Sequence, residues 1–209
     1  MYFLSTKLFL TGFWRSLDFN YVIRCMEEIF KCVDAESWSF DELDLRQLTD
    51  KINDSGEILP DYIVAHLMRV YGRVSEDGSC EFLMDKLSRF FVQMLLNDGE
   101  TYELSEFLQV LGETMPGGME PKPEHLSGLS LIDRKSKPHT ITRFYVRDLP
   151  LNVEKRFEAL FKAKEKWTLE EISPYLEDLC LPGQKISSLL TKHSRSSLTG
   201  GLKLYSSRK

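Results

Sequence analysis

The chain has 209 residues, of which 42% are hydrophobic and 28% are charged, with 27 basic and 32 acidic side chains and a net charge of −5. This composition can bury a core, and it excludes a collagenous, low-complexity or wholly disordered chain. The sequence has no run of 18 apolar residues that could span a membrane, and its four cysteines are too few for a disulfide scaffold, which favours reduced thiols in an intracellular protein.

The first half of the chain is predicted to be mainly helical. Residues 9–17 predict a strand, and apolar residues at three- to four-residue spacing predict a helix from Asp18, as N-cap, to Val33. Ser39 lies three residues before Glu42, a spacing that predicts a capping box at the start of a second short element. The elements predicted after it are a turn at 53–56, a helix from Pro60 to Gly72, a turn at 77–78, a strand at 80–84 and a helix at 85–96.

The segment from 101 to 150 is predicted to change from helices to a β-ribbon. A helix is expected at 102–111, a break at 115–118 and a short helix at 125–129. Two strands are expected at 131–133 and 141–146, joined by a charged turn at 134–138.

The last part of the chain has the clearest pattern. Helices are predicted from Asn152 to Lys164, from Thr168 with Glu171 as a second capping box, and from Gln184 to Lys192. The Thr199-Gly200-Gly201 turn and a strand at 202–205 follow. Helix, helix, turn, helix and hairpin strand is the order of a winged helix, a variant of helix-turn-helix.

The sequence therefore predicts an α+β fold, mainly α with small β-hairpin wings, built from tandem winged-helix domains. Residues 1–17 are interpreted as the remnant of a first winged helix, 18–150 as a middle winged-helix-like region and 151–209 as a C-terminal winged-helix domain. The repetition is architectural, because no fixed-period sequence repeat accompanies it.

Motifs of catalysis are missing from the sequence. It has no phosphate-binding glycine loop, no G-x-S-x-G nucleophile elbow and no histidine or cysteine pair at metal-ligand spacing. Acidic pairs such as Glu170-Glu171 are adjacent, so on a helix they diverge by about 100° and suit a solvated face better than acid–base work. We therefore expect a protein that is not an enzyme and that holds no cofactor or metal.

Charge is distributed unevenly along the chain. Residues 18–100 carry 8 basic and 18 acidic groups, whereas residues 181–209 carry 6 basic groups and no acidic one. We call residues 185–209 the basic tip. Because cations and hydroxyls contact phosphate oxygens, we expect it to face DNA without base-specific readout, through about three or four phosphates. The candidate DNA-binding residues are Lys185, Ser188, Thr191, Lys192, Arg195, Lys203, Arg208 and Lys209.

Ser188, Thr191, Lys192 and Arg195 are expected to share one face of the third helix, because they recur at three- to four-residue spacing. Two other interpretations remain open for the basic tip. Many winged helices bind proteins instead of DNA, and a basic C-terminal segment is often only solvated.

Several ordered segments resemble the "defective in sister chromatid cohesion" family of sister-chromatid cohesion proteins. Two of the matching segments contain a tryptophan, and together the matches cover about residues 12–209. They are Asp34-Ala35-Glu36-Ser37-Trp38-Ser39-Phe40, Leu129-Ser130-Leu131-Ile132-Asp133-Arg134, Arg156-Phe157, Trp167-Thr168-Leu169-Glu170-Glu171-Ile172-Ser173-Pro174-Tyr175-Leu176-Glu177-Asp178-Leu179-Cys180, Leu189-Leu190-Thr191-Lys192 and Lys203-Leu204-Tyr205-Ser206-Ser207-Arg208.

The resemblance implies a nuclear, non-ATPase subunit of the alternative clamp loader, which acts on the sliding clamp in DNA replication and sister-chromatid cohesion. Family members carry a string of winged helices that contacts DNA polymerase epsilon and binds single- and double-stranded DNA. Their β-rich first half pairs with a small partner subunit and the clamp-loader large subunit. This chain begins after that half, so it is interpreted as a fragment, a partial gene model or a short isoform.

The function that this resemblance implies is that of a non-catalytic adaptor, which links the clamp loader to DNA polymerase epsilon and to DNA. Two alternatives follow from the same residues. A generic winged-helix DNA-binding protein would prefer one duplex sequence. A protein-only scaffold would retain the fold and leave DNA unbound.

Overall fold

The computed structural model describes residues 7–10, 13–56, 59–116 and 119–208. These residues are mainly helical with small antiparallel sheets, which confirms the predicted α+β class. They form two compact units: an N-terminal unit of residues 7–98 and 108–121, and a C-terminal unit of Gly99–Phe107 and residues 122–208. The winged-helix assignment and the domain boundaries predicted after residues 17 and 150 stay predictions.

The N-terminal unit contains helices together with a hairpin and a three-stranded sheet. The strands pair antiparallel, β1 with β2 and in the order β3-β5-β4. The elements are β1 Lys7–Leu10, β2 Phe13–Ser16, α1 Phe19–Ala35, β3 Leu43–Asp44, α2 Leu45–Asp54, α3 Asp61–Tyr71, β4 Gly72–Val74, β5 Ser79–Phe82, α4 Met84–Leu95 and the last residues of α5 Leu104–Thr114.

The start of α1 follows the sequence prediction. The Asp18 carboxylate accepts hydrogen bonds from the backbone N–H groups of Asn20 at 3.0 Å and Tyr21 at 3.2 Å. It thereby satisfies donors that the first turn of a helix leaves unpaired. The apolar stripe of α1 is buried, as its spacing indicates; its buried members are Val22, Cys25, Met26, Ile29 and Val33.

The capping box predicted at Ser39 is wrong. Helix α2 begins at Leu45, and its cap is Asp44, whose carboxylate accepts from the backbone N–H of Gln47 at 2.8 Å. The Ser39 hydroxyl donates instead to the Asp41 carboxylate. Leu43 pairs with a residue of β5, so the backbone before α2 is extended and a helix cannot begin at Ser39.

The C-terminal unit has a three-stranded sheet, a set of short helices and a final hairpin. The sheet order is β6-β8-β7, and β9 pairs with β10. The elements are β6 Thr101–Glu103, the first residues of α5, α6 Pro123–Leu126, β7 Ser130–Asp133, β8 Thr140–Arg143, α7 Val153–Ala163, α8 Leu169–Ile172, α9 Ile186–His193, β9 Arg195–Thr199 and β10 Leu202–Ser206.

The ribbon predicted at 131–146 is present as β7 and β8, with Ile132 opposite Ile141. Strand β8 ends at Arg143, however, and a 3-10 turn begins at Val146, where the sequence predicts that the strand continues. The helix predicted from Tyr102 begins two residues later, at Leu104. Tyr102 instead pairs with Ile141 as part of β6. Its partner strand lies almost forty residues further along the chain, so local periodicity does not reveal this pairing.

The core of the C-terminal unit is built from α7, α8, α9 and the final strand, and Trp167 is 1% exposed within it. The predicted capping box of α8 is confirmed: Thr168 N donates to the Glu171 carboxylate at 3.0 Å, and Glu171 N donates to the Thr168 hydroxyl at 3.2 Å. The buried residues of this core are Val146, Phe157, Leu160, Trp167, Ile172, Tyr175, Leu176, Leu189, Leu190 and Tyr205.

Arg156 is a fully buried cation in this unit. Its guanidinium donates to both carboxylate oxygens of Asp178, at 3.1 and 3.0 Å. It also donates to the backbone carbonyls of Pro150 at 2.6 Å and Tyr175 at 2.8 Å. One side chain thereby joins the entry to α7 with the turns that follow α8.

One order of elements recurs along the chain: helix, extended segment, helix, helix, hairpin. It occurs as α1-β3-α2-α3-β4-β5, as α4-β6-α5-α6-β7-β8 and, with Trp167 as the extended residue, as α7-α8-α9-β9-β10. In each case the extended segment pairs with the last strand of the hairpin. The three helices and the hairpin are the order from which the sequence predicts a winged helix, and the extended segment after the first helix is an addition that the sequence does not predict.

Candidate nucleic-acid interface

The described part of the basic tip consists of α9, the β9–β10 hairpin and the residues that join and follow them. Leu189 and Leu190 bury one side of α9 in the core. Ser188 and Thr191 are exposed on the opposite side, while Lys185, the N-cap, and Lys192 flank the buried side. The predicted helical part of the site is therefore on the surface.

Lys185, Lys192 and Lys203 are the exposed lysines of the described part of the basic tip. The Lys203 ammonium lies 5.4 Å from the centroid of the Tyr205 ring, a cation–π distance that leaves the charge in contact with water. These three side chains can reach phosphate oxygens without breaking a backbone hydrogen bond.

The hydroxyl of Thr191 has a partner within the helix, because it donates to the carbonyl of Ser187 at 2.8 Å. A hydroxyl has one proton, and phosphate oxygens accept hydrogen bonds but do not donate them. Thr191 would therefore have to give up its helical bond to contact a phosphate. Of the two hydroxyls predicted on this face, Ser188 is the better phosphate donor.

Arg195 does not lie on the helix face where the sequence predicts it. Helix α9 ends at His193, because Ser194 is extended at φ −132° and ψ 165°, and Arg195 is the first residue of β9. Its Nε donates to the backbone carbonyl of Ser207 at 2.6 Å. The side chain is exposed, but it ties the first residue of the hairpin to the segment after it.

Arg208 also has a structural partner. Its Nε donates to the carbonyl of Ser194 at 3.0 Å, and its guanidinium also donates to the carbonyl of Thr191. Cations that reach the last carbonyls of a helix satisfy unpaired acceptors and the helix dipole. Arg208 thus closes the end of α9. Lys209, the last predicted residue, lies outside the described residues.

The base of the hairpin is fixed to the core. Trp167 and Tyr205 exchange two backbone hydrogen bonds, of 3.0 and 2.8 Å. The indole N–H of Trp167 donates to the carbonyls of Leu160 at 3.1 Å and Lys164 at 2.7 Å. The predicted site residues of β9 and β10 are therefore presented on a ribbon whose base is held by a buried tryptophan.

Sequence reasoning missed two residues at the tip of the hairpin. Leu198 is 76% exposed and Leu202 is 62% exposed, on either side of the Gly200-Gly201 turn. A signal was present, since these leucines flank a two-glycine turn within a segment rich in serine and basic residues. Only Tyr205 among the apolar residues of the hairpin is buried.

A second feature with mixed chemistry is an open cavity of about 410 Å³ between α1 and α2, lined by residues that include Glu28, Lys31, Cys32, Glu36 and Lys51. Lys51 and Glu36 form an ion pair of 2.9 Å at its edge. Burial, followed by the charge of Glu36, raises the pKa of the Cys32 thiol. A raised pKa disfavours the thiolate, so the cavity does not contain an activated cysteine nucleophile.

The described residues contain neither a metal-binding cluster nor a membrane-spanning helix. Within the part of the chain that the structure covers, histidines, cysteines and carboxylates do not gather in threes as a metal centre requires. Each helix described is too short or too polar to cross a lipid bilayer.

The sequence of the chain is similar to those of known sister chromatid cohesion proteins. A family model described as "Sister chromatid cohesion protein Dcc1" matches residues 5–176 and so ends before the basic tip. The Sister chromatid cohesion protein DCC1 of Danio rerio is 41% identical over 202 residues, which are 95% of this chain and 51% of that protein.

Two further relatives carry the same name. The protein of Mus musculus is 39% identical over 201 residues, 95% of this chain and 50% of that protein. The protein of Xenopus laevis is 38% identical over 201 residues, 95% of this chain and 51% of that protein. The chain therefore spans about half the length of the curated relatives it matches. Their names refer to cohesion and not to an enzymatic activity.

Proposed function

The chain belongs to the Dcc1 family of sister chromatid cohesion proteins, and from that premise we propose that it is a non-catalytic adaptor that contacts DNA through the basic tip. In this proposal it acts in the nucleus, during DNA replication, as part of an alternative loader of the sliding clamp. It links that loader to DNA polymerase epsilon and to single- and double-stranded DNA.

The observation that carries the DNA contact is the separation of charge along one chain. The basic tip has no acidic residue, whereas the whole chain has a net charge of −5. An acidic molecule with one basic end approaches a polyanion in a preferred orientation. Lys185, Lys192 and Lys203 are exposed, so their charges are available to phosphate oxygens.

The polymerase and loader contacts rest on the family. The chain spans about half the length of its relatives, so partners of the whole relatives come to this chain as proposals. The family resemblance assigns contact with the small partner subunit and the clamp-loader large subunit to the other half of the relatives.

One experiment separates an adaptor from a protein-only scaffold. The full chain is tested for binding to a primer–template DNA and to the catalytic domain of DNA polymerase epsilon. The variant Lys192→Glu with Lys203→Glu is compared with Lys155→Glu, which changes an exposed lysine of α7 outside the basic tip.

The adaptor predicts that the double variant loses DNA and keeps the polymerase, while Lys155→Glu keeps both. An unaltered chain that binds the polymerase but not DNA would identify a scaffold and reject the DNA contact, and one that binds neither would reject the whole proposal. Unchanged DNA binding by the double variant would reject the basic tip as the surface that binds DNA. Enrichment of one duplex from a random-sequence selection would instead identify a sequence-specific DNA binder.

A further inference from the structure

The tip of the β9–β10 hairpin exposes two leucines on opposite faces of the ribbon. Leu198 lies opposite Lys203, and Leu202 lies opposite Thr199. Successive residues of a strand point to opposite faces, and directly opposed residues share a face. Leu198 and Leu202, 76% and 62% exposed, therefore project from the two sides of a ribbon that is only two strands wide.

The ribbon extends beyond the core of its unit. Tyr205 is the buried residue of β10, and Leu202, next to the turn, precedes it by three residues, or about 10 Å of strand. Gly200 and Gly201 have φ angles of +58° and +80°, as a tight hairpin turn requires. Among the described residues, a Cβ added at either glycine would have no atom within 4 Å. The turn thus lies in open space.

The base of the ribbon is held on both sides. Trp167 pairs with Tyr205 on β10. Arg195, the first residue of β9, donates a hydrogen bond to the carbonyl of Ser207. A projecting ribbon with a fixed base keeps its leucines at a defined position relative to the cations beside them.

This combination of groups matches the chemistry of nucleic acid. Phosphates lie on the outside of DNA and bases on the inside, so a hairpin with an apolar tip and a cation behind it can place the tip among the bases while the cation lies at a phosphate. The major groove admits a two-stranded ribbon, and inserted leucines unstack base steps.

We propose that the hairpin tip is a wedge for DNA, in which Leu198 and Leu202 enter the base stack at a junction of duplex and single strand while Lys203 contacts the adjacent phosphate. The wedge rests on the proposed function for its ligand and adds an activity to it, the opening of the terminal base pair.

An anionic membrane also attracts cations beside apolar groups. Two leucines offer less apolar surface than a myristoyl chain, which alone binds membranes only marginally. Because the leucines point to opposite faces, they also do not form the single apolar face that an interfacial element inserts. The geometry therefore favours the separated strands of a junction over a lipid surface.

The test uses the full chain and a primer–template carrying 2-aminopurine in the base pair next to the junction. DNA binding is followed by fluorescence anisotropy, and unstacking by the increase in 2-aminopurine emission. Leu198→Thr with Leu202→Thr removes the apolar tip and keeps residues that favour strands. Leu151→Thr, at a position 81% exposed beside α7, is the matched control. Thermal unfolding verifies that each variant is folded.

We expect the unaltered chain and Leu151→Thr to raise the emission on the order of twofold, and the tip variant to bind DNA within about threefold of normal without raising it. DNA binding without an increase in emission, or an increase that the tip variant retains, overturns the wedge and leaves the proposed function intact. Absence of DNA binding rejects both. Loss of binding of the tip variant to phosphatidylserine vesicles, with its DNA signals unchanged, assigns the tip to membranes and also overturns the wedge.

Discussion

Replacing Arg156 by methionine tests whether one buried cation holds the C-terminal unit together. The side chain is fully buried, and it makes two hydrogen bonds to Asp178 and one each to the carbonyls of Pro150 and Tyr175. Methionine fills much of the volume but leaves a carboxylate and two carbonyls without their donor.

The expected loss follows from these contacts. Removing one partner of a buried ion pair costs about 3–5 kcal/mol of unfolding free energy. The Asp178 side chain is 22% exposed, so water reaches the abandoned carboxylate and the lower end of that range applies. We expect about 3 kcal/mol for Arg156→Met, and about 1–2 kcal/mol for Asp178→Asn, which keeps both carbonyl bonds.

Urea unfolding measured by the fluorescence of Trp167 reports this loss, in a background where Trp14→Phe and Trp38→Phe leave one tryptophan. With a slope of about 2 kcal/mol per molar urea, the midpoint of Arg156→Met should fall by about 1.5 M. Arg147→Met removes an exposed arginine of the same unit and should cost under about 1 kcal/mol. Equal midpoints for Arg156→Met and Arg147→Met would refute the reasoning.

Three further predictions concern titration and packing. Burial alone would raise the pKa of Glu171, but hydrogen bonds from Lys164 and a backbone N–H lower it below its usual value. The ionised carboxylate therefore stabilises the fold above the unfolded pKa of about 4.3, and this stabilisation is lost as the pH falls through the folded pKa. Glu171→Gln should therefore reduce the fall of the urea midpoint at acid pH, and an unchanged fall would contradict this. Burial raises the pKa of Cys80 to about 11, so iodoacetamide at pH 8 should modify it on the order of 100-fold more slowly in native protein than in urea, and equal rates would count against a buried thiol. A Cβ at Gly72 would lie 2.1 Å from a carbonyl oxygen of the facing strand, so Gly72→Ala should lower the unfolding free energy in urea by at least about 2 kcal/mol. The control Gly112→Ala, whose Cβ would have its nearest contact at 3.6 Å, should lower it by nothing, and similar urea midpoints for the two variants would refute the clash.

Local signals predicted the elements whose hydrogen bonds are local. The capping box of Thr168 and Glu171 joins residues three apart, and the cap of Asp18 joins it to the next turn. Ser39 and Glu42 have the same spacing, but an extended backbone that pairs with β5 replaces the helix there. Sequence spacing does not contain that distant partner.

The candidate site was predictable in composition more than in geometry. Counting charges located the basic tip, and three of its lysines are exposed. The position of Arg195 and the role of Arg208 depend on where α9 ends, which Ser194 decides by adopting an extended backbone and donating to the carbonyl of Leu190 at 2.6 Å. The exposed leucines at the hairpin tip depend on how far the ribbon extends from the core, which periodicity does not encode.

The most direct test of the DNA contact is its dependence on salt. Affinity of the full chain for a labelled primer–template is measured between low and physiological ionic strength. Three phosphate contacts, one each from Lys185, Lys192 and Lys203, predict a slope of log affinity against log salt of about −2.7 on duplex DNA, which falls to about −0.9 when Lys192 and Lys203 are replaced by glutamine. A slope near zero, or a slope that this double replacement leaves unchanged, would contradict the assignment of the basic tip as the surface that binds DNA.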